Sequence, residues 1–144
     1  MSGFSAKANE LLVEIYRNVQ ILEQNELKKQ RLNISINEMH MIELIAKGKT
    51  GMTVSEIAQQ LKVTKPSVTV AVNKLVQKGY CEKQRLPGDG RAVQVMLTPE
   101  GKKVEAFRCH RRIIAEICED LSEEEREELL RTMTRINSYF QTKL

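Results

Sequence analysis

The sequence contains no tryptophan, and only 4% of its 144 residues are aromatic. Proteins that bind single-stranded nucleic acid stack bases on aromatic side chains, so this composition argues against that class. No stretch approaches the roughly 18 consecutive apolar residues of a membrane helix, and no basic and apolar leader opens the chain. We therefore expect a protein that stays in the cytoplasm and does not bind a membrane.

Cysteine and histidine are also scarce, with three cysteines and two histidines in the chain. The odd number and unpaired spacing of the cysteines predict free thiols rather than disulfides. His40, Cys109 and His110 do not show the ligand spacing of a zinc site. No glycine-rich phosphate loop and no G-x-S-x-G motif occurs in the sequence. We expect no metal, no other cofactor and no enzyme activity.

The chain is rich instead in apolar residues at helical spacing. Positions 4, 8, 11, 15, 19 and 22 are apolar, which predicts a long first helix that ends near residue 30. Ser35 and Glu38 have the spacing of a capping box, so a second helix is predicted from there to Gly48. Thr53 and Glu56 repeat that spacing and predict a short third helix.

The middle of the chain shows the pattern of a helix-turn-helix followed by a hairpin. Thr64 can cap a fourth helix, and Pro66 fits its first turn, only a few residues after the third helix. Two segments suited to strands then flank the turn residues 87–90. The predicted fold class is mainly α with a small β-hairpin, arranged as a winged helix-turn-helix.

Apolar stripes recur in the last third of the chain. One helix is predicted from Thr98 through Ile117, and a last helix begins after Ser122. The first helix and these C-terminal helices carry more apolar surface than the central domain can cover. We therefore predict that they pack against the same helices of a second copy of the chain. The predicted organisation is an N-terminal dimerisation helix over 1–33, a winged helix-turn-helix domain over 34–100 and C-terminal dimerisation helices over 101–144.

Charge is distributed unevenly. The whole chain has a formal net charge of +4, whereas residues 59–91 hold seven basic residues against two acidic ones, a net of +5. Residues 119–131 reverse the balance, with seven acidic residues against two basic ones, a net of −5. The positive segment coincides with the predicted helix-turn-helix and wing, as expected for a surface that binds the phosphates of double-stranded DNA.

The order of these elements resembles the multiple-antibiotic-resistance-regulator (MarR) family. Two motifs support the resemblance: Asp89-Gly90-Arg91 at the wing tip is similar to the family's D-x-R, and residues 97–101 are similar to its L-T-x-x-G. A narrower set is similar to the branch that represses bacterial fatty-acid synthesis genes: residues 34–40, Val63-Thr64, Ser67-Val68-Thr69, Lys78-Gly79-Tyr80 and His110-Arg111-Arg112. The narrower resemblance implies a homodimer on palindromic operators, with binding strengthened by long-chain acyl groups carried on acyl carrier protein.

The second helix of a helix-turn-helix enters the major groove, with its N-terminal residues nearest the base edges. Asn73 can pair with adenine, Val70 can contact a thymine methyl, and Lys74 and Lys78 suit phosphates. The family resemblance implies that Arg91 reaches a narrow, A·T-rich minor groove, held there by the neighbouring aspartate. The predicted DNA-binding residues are Thr64, Lys65, Pro66, Ser67, Thr69, Val70, Asn73, Lys74, Lys78, Asp89 and Arg91.

An apolar effector is predicted to bind between the terminal helices and the DNA-binding core. The predicted pocket is formed by Met39, His40, Ile42, Glu43, Phe107 and Ile114. The basic residues predicted to contact the acidic carrier protein are Arg108, Arg111 and Arg112.

Two alternatives stay open. A repressor of the same family can respond to a small phenolic or lipophilic compound, or to oxidation of Cys81 or Cys109. A different class is a module that binds only other proteins. That module would show no steep salt dependence of DNA affinity and no need for Arg91.

Overall fold

The computed structural model describes residues 2–85, 88, 93–106 and 109–144, which form seven helices and one three-stranded antiparallel sheet. The helices are α1 (Gly3–Lys29), α2 (Ile36–Lys47), α3 (Val54–Leu61), α4 (Lys65–Gln77), α5 (Pro99–Glu105), α6 (Cys109–Glu119) and α7 (Glu123–Gln141). The strands are β1 (Met52–Thr53), β2 (Cys81–Arg85) and β3 (Val93–Leu97). The predicted fold class is confirmed. The chain divides into two compact units, residues 1–108 and residues 109–144.

Side-chain caps set most of the helix starts. Thr53 and Ser122 each form a complete capping box with the glutamate three residues later. At Ser35 only half of the predicted box forms, because the Glu38 N–H donates to Ser35 Oγ while the Glu38 carboxylate binds Lys78. A tertiary ion pair therefore replaces the second half of a local motif.

The sheet has one more strand than the predicted hairpin. Its order is β1-β3-β2, with Met52 opposite Val95 and Cys81 opposite Leu97. Strand β1 has only two residues, too few for any periodicity to reveal it. Gly51 precedes it with φ of 92°, and a Cβ there would approach the Val95 carbonyl oxygen to 2.7 Å, so this turn requires glycine.

The single helix predicted from Thr98 through Ile117 is instead two helices. Helix α5 ends at Glu105, α6 begins at Cys109, and the two lie in different units. Val104 of α5 is buried, whereas Ile117 of α6 is half exposed. An apolar period that stays in register across a break cannot show that the break exists.

The core of the first unit lies where α2, α3 and α4 meet β3. Its fully buried side chains are Ile42, Ile45, Ile57, Val68, Val72, Leu75 and Val95. Each stabilises the fold by roughly 1.5–3 kcal/mol relative to an exposed side chain. In the second unit the Arg126 guanidinium donates to the Cys118 carbonyl oxygen at 2.9 Å, which ties the first turn of α7 to the end of α6.

Large apolar side chains are exposed on the terminal helices. On α1 these include Phe4, Leu11 and Ile15, and on α7 they include Leu130 and Phe140. Such surfaces are typical of helices that pack against another chain. Within the described part of the chain, no helix combines the length and the apolarity needed to cross a bilayer.

Candidate nucleic-acid interface

Helix α4 is held with one face in the core and the other in solvent. Val68, Val72 and Leu75 are buried, so the residues on the opposite side of the helix are exposed. The turn from α3 is short because Lys62 adopts the left-handed conformation, with φ of 56°, at the end of α3. Thr64 then caps α4, accepting from the Ser67 N–H.

The exposed face of α4 has a centre and two flanks. Pro66, Val70 and Asn73 follow one line along the helix, at spacings of four and three residues. Ser67 and Lys74 follow the flank next to α2. The helix is about 20 Å long at 1.5 Å per residue, and its diameter suits a major groove about 12 Å wide.

A groove of about 410 Å³ separates α4 from the start of α2. Its walls include Ser35, which caps α2, Asn37 of α2, and Ser67 and Lys74 of α4. Ser35 and Asn37 extend the polar surface beside the exposed face, and neither belongs to the predicted set of DNA-binding residues. No local signal could have found them, because only the packing of α2 on α4 brings them there.

Strand β2 borders the other flank. The Lys83 ammonium donates to the Asn73 amide oxygen, which joins the strand to the exposed face of α4. Lys83 is also absent from the predicted set. The sequence held a signal for it, because the two-residue period of a strand puts Lys83 on the same side of β2 as Cys81, a residue type that is usually buried.

Lys78 carries an ion pair that was not predicted. Its Nζ donates to both carboxylate oxygens of Glu38, at 2.9 and 3.2 Å, and so ties the end of α4 to the first turn of α2. An ammonium group has three donors, so one remains for a phosphate oxygen. The predicted phosphate contact is therefore compatible with this pair but shares its ammonium with a carboxylate.

We expect Lys78→Ala to lower both stability and DNA affinity. Glu38 is 14% exposed in its side chain, so a lone carboxylate there should cost about 1–2 kcal/mol of unfolding free energy. DNA affinity should fall alike for all sequences, with a salt slope lower by about one. Urea unfolding and salt titrations of DNA binding measure the two effects.

The matched control is the double variant Lys78→Ala with Glu38→Gln. It removes the stranded carboxylate, so stability should largely return while the salt slope stays low. A single variant as stable as the wild type would contradict the ion pair.

Several predicted site residues lie outside the described part of the chain. They are the wing residues Asp89 and Arg91, together with Phe107 and Arg108. Arg111 and Arg112, the other predicted carrier-protein contacts, are exposed on α6. Arg112 Nε lies 3.8 Å from Glu116 Oε1 one turn along the same helix, a pair too exposed to hold the side chain firmly.

The predicted effector residues differ in burial and in the elements that carry them. Met39 and Ile42 are buried in the core of the first unit, whereas Glu43 is half buried. His40 Nε2 lies 3.1 Å from each carboxylate oxygen of Glu23 on α1. Ile114 is half exposed on α6, in the second unit.

A groove in the first unit lies beyond the C-terminal half of α2. Its volume is about 370 Å³, and its lining residues are Ile45, Ala46, Gly48, Lys49, Gly51, Met96, Leu97, Lys102 and Glu105. None of them belongs to the predicted effector set. The residues that line this groove come from α2, the loop between α2 and β1, β3 and α5, so its shape depends on tertiary packing.

The Cys81 thiol is a poor candidate for oxidation. Its residue is 2% exposed at the start of β2, and burial raises the pKa of the thiol to about 12. The reactive species is the thiolate, which is negligible at neutral pH with such a pKa. The side chain of Cys109, the other predicted redox candidate, lies outside the described part.

The raised pKa predicts a loss of stability in alkali. The folded state holds this proton more tightly than the unfolded state, whose thiol has the ordinary value of 9.0. The thiol's contribution is therefore complete below about pH 9 and is lost as the pH rises toward 12, at about 1.4 kcal/mol per pH unit. Urea unfolding at pH 8 and pH 10.5 should show a steeper decline for the wild type than for Cys81→Ala. Equal slopes would contradict the raised pKa.

No group of three or more His, Cys, Asp or Glu side chains stands in a metal-binding arrangement within residues 2–85, 88, 93–106 and 109–144. The candidate interface is thus a polar and basic surface on α4, bordered by α2 and β2. Such a surface can form hydrogen bonds with bases and ion pairs with phosphates.

Comparison with known proteins agrees with this arrangement. A sequence model of the MarR family matches residues 32–92. The structure of FabT from Streptococcus pneumoniae, in complex with DNA, is similar over 97% of this chain and 99% of that chain, with 33% sequence identity and a TM-score of 0.86. The chain belongs to the MarR family. It is therefore a member of a family of DNA-binding transcription regulators, and the predicted placement in the FabT branch is confirmed.

More distant MarR-like structures share the fold. A MepR variant from S. aureus, bound to an oligodeoxyribonucleotide, has 23% identity and a TM-score of 0.63, over 92% of this chain and 97% of that chain. A MarR family protein from Bacillus stearothermophilus has 18% identity and a TM-score of 0.75, over 98% and 99%. A search among curated protein sequences found no significant match.

Proposed function

We propose that this MarR-family chain is a sequence-specific repressor that binds palindromic, A·T-rich double-stranded DNA. The observation that carries the proposal is the exposed polar face of α4 in a chain 33% identical to FabT, whose structure contains DNA. Helix α4 enters the major groove with Thr64, Lys65, Pro66, Ser67, Thr69, Val70, Asn73, Lys74 and Lys78. The wing residues Asp89 and Arg91 reach the adjacent minor groove.

The repressor acts as a homodimer. The support is the exposed apolar surface of α1 and α7, where Phe4 is 84% and Leu130 is 67% exposed. Burial against the same helices of a second copy removes this surface from water and creates two-fold symmetry. Residues 1–33 and 101–144 then serve as dimerisation segments around the DNA-binding domain 34–100. Two-fold symmetry matches a palindromic site with half-sites about 10 base pairs apart.

The regulated genes are those of fatty-acid synthesis, and the effector is a long acyl chain carried on acyl carrier protein. This part rests on the similarity to FabT and on the branch motifs. The pocket residues are Met39, His40, Ile42, Glu43, Phe107 and Ile114, and the carrier protein meets Arg108, Arg111 and Arg112. An acyl chain contributes about 0.8 kcal/mol per buried methylene. A tenfold tightening of operator binding needs only about 1.4 kcal/mol of that as coupling.

Two measurements test the proposal. Selection of bound duplexes from a random library should recover an A·T-rich palindrome, and failure to recover any consensus rejects a sequence-specific repressor. Titration of the labelled operator should then show tighter binding with acylated than with unacylated carrier protein. Equal affinity with both forms would reject the acyl effector and favour a small lipophilic ligand, while the DNA-binding function would stand.

A further inference from the structure

Asn73 and Lys83 form a contact at the exposed edge of α4. The Lys83 ammonium donates to the Asn73 amide oxygen, and both residues are exposed. The contact lies outside the buried core, so the packing of the fold does not depend on it. Asn73 is also the position whose amide best suits recognition of a base edge.

The chemistry of the ammonium decides which way the amide faces. An ammonium group only donates hydrogen bonds, so the atom of Asn73 that it contacts must be the oxygen and not the amino group. The amino group then points away from Lys83. Pairing with adenine requires the amide oxygen to accept from adenine N6 while the amino group donates to N7. Lys83 takes one of the two lone pairs of that oxygen and puts a positive charge beside it, which disfavours the approach of a second donor such as the adenine amino group.

We propose that Lys83 sets the base preference of Asn73, so that the two side chains together read guanine. The Asn73 amino group and the remaining ammonium protons supply several donors and a positive charge, a combination that favours acceptors on the base edge. Guanine presents two acceptors, N7 and O6, in the major groove, whereas adenine and cytosine each present an amino donor and thymine presents one acceptor beside a methyl group. This inference rests on the proposed DNA-binding function and differs from the adenine pairing expected for an isolated asparagine.

The test compares the bases selected by three proteins. Wild type, Asn73→Ala and Lys83→Met are each used to select duplexes from a random library, and affinities are then measured for operators that differ at one base. The wild type should select guanine at a position where Asn73→Ala shows no preference. Lys83→Met frees the amide oxygen, so the preference there should shift to adenine, with a change of about 10-fold in the affinity ratio of the two operators. Lys83→Arg keeps donors and should keep guanine.

The matched control is Lys74→Met, which removes the same charge on the flank of α4 next to α2. It should weaken the guanine and adenine operators equally, as loss of a phosphate contact does. If Lys83→Met also weakens both equally, Lys83 contacts phosphate only and the inference is overturned. The inference is also overturned if the wild type selects adenine at the position where Asn73→Ala shows no preference. If the wild type selects no consensus sequence, the proposed function as a sequence-specific repressor is rejected instead.

Discussion

Replacing Gly101 with alanine is expected to lower the free energy of unfolding by about 3 kcal/mol, the upper end for an overpacked position. Gly101 is buried in the first turn of α5, and a Cβ there would lie within 3.0 Å of the Tyr80 carbonyl oxygen, closer than real Cβ atoms approach. Moving that carbonyl group away would break a hydrogen bond, because its oxygen accepts from the Thr98 N–H at 3.0 Å. Thr98 Oγ1 in turn donates to the Gly79 carbonyl oxygen at 2.6 Å and accepts from the Gly101 N–H at 3.1 Å.

The matched control is Gly3→Ala, since a Cβ at Gly3 meets nothing within 4 Å. This variant should be as stable as the wild type or slightly more stable, because alanine favours a helix. Urea unfolding at one protein concentration measures both variants, so any dimer contributes equally. A loss below about 0.5 kcal/mol for Gly101→Ala would contradict the close approach of α5 to Tyr80.

The second large effect concerns DNA binding. Val70→Asp is expected to weaken operator binding at least ~100-fold, because it puts a carboxylate at the centre of the surface that faces the phosphates. Val70 is 57% exposed, so the unfolding free energy should change by no more than about 0.5 kcal/mol. Fluorescence anisotropy with a labelled operator measures the loss.

Val70→Asn separates charge from shape. It has the size of aspartate but no charge, so it should lose only the apolar contact and bind far more tightly than Val70→Asp. The difference between the two variants should shrink as salt rises, because salt screens the repulsion. Equal affinities for the two variants, or wild-type affinity for both, would remove α4 from the DNA-binding surface.

Local interactions made the helix starts predictable. Thr53, Thr64, Thr98 and Ser122 all cap helices as expected, because a capping side chain bonds a backbone N–H only two or three residues away. The apolar period of α4 predicts a buried stripe of Val68, Val72, Leu75 and Val76, and the first three are buried, whereas Val76 near the end of the helix is 37% exposed. Ser35 shows the limit of local reasoning. It caps α2 as its spacing to Glu38 predicts, but the Glu38 carboxylate binds Lys78, forty residues later, instead of completing the capping box.

The candidate site also has a part that the sequence predicts and a part that depends on tertiary structure. Residue types and helical period marked Val70 and Asn73 as exposed on the second helix of the helix-turn-helix, since a helix repeats regularly along its own axis. They could not show that Lys83 occupies the Asn73 oxygen, because strand β2 reaches α4 only after the chain turns back at Gly79, whose φ is 84°.

The sequence by itself determined the class of fold, the helix starts, the basic segment and the resemblance to the MarR family. Each of these depends on residues within a few positions of one another or on composition along the chain. Tertiary structure alone decided the third strand, the break after Glu105, the Glu38–Lys78 pair and the close approach that requires glycine at position 101. These features depend on contacts between segments that are distant in the sequence. A local pattern cannot show which of the possible contacts forms.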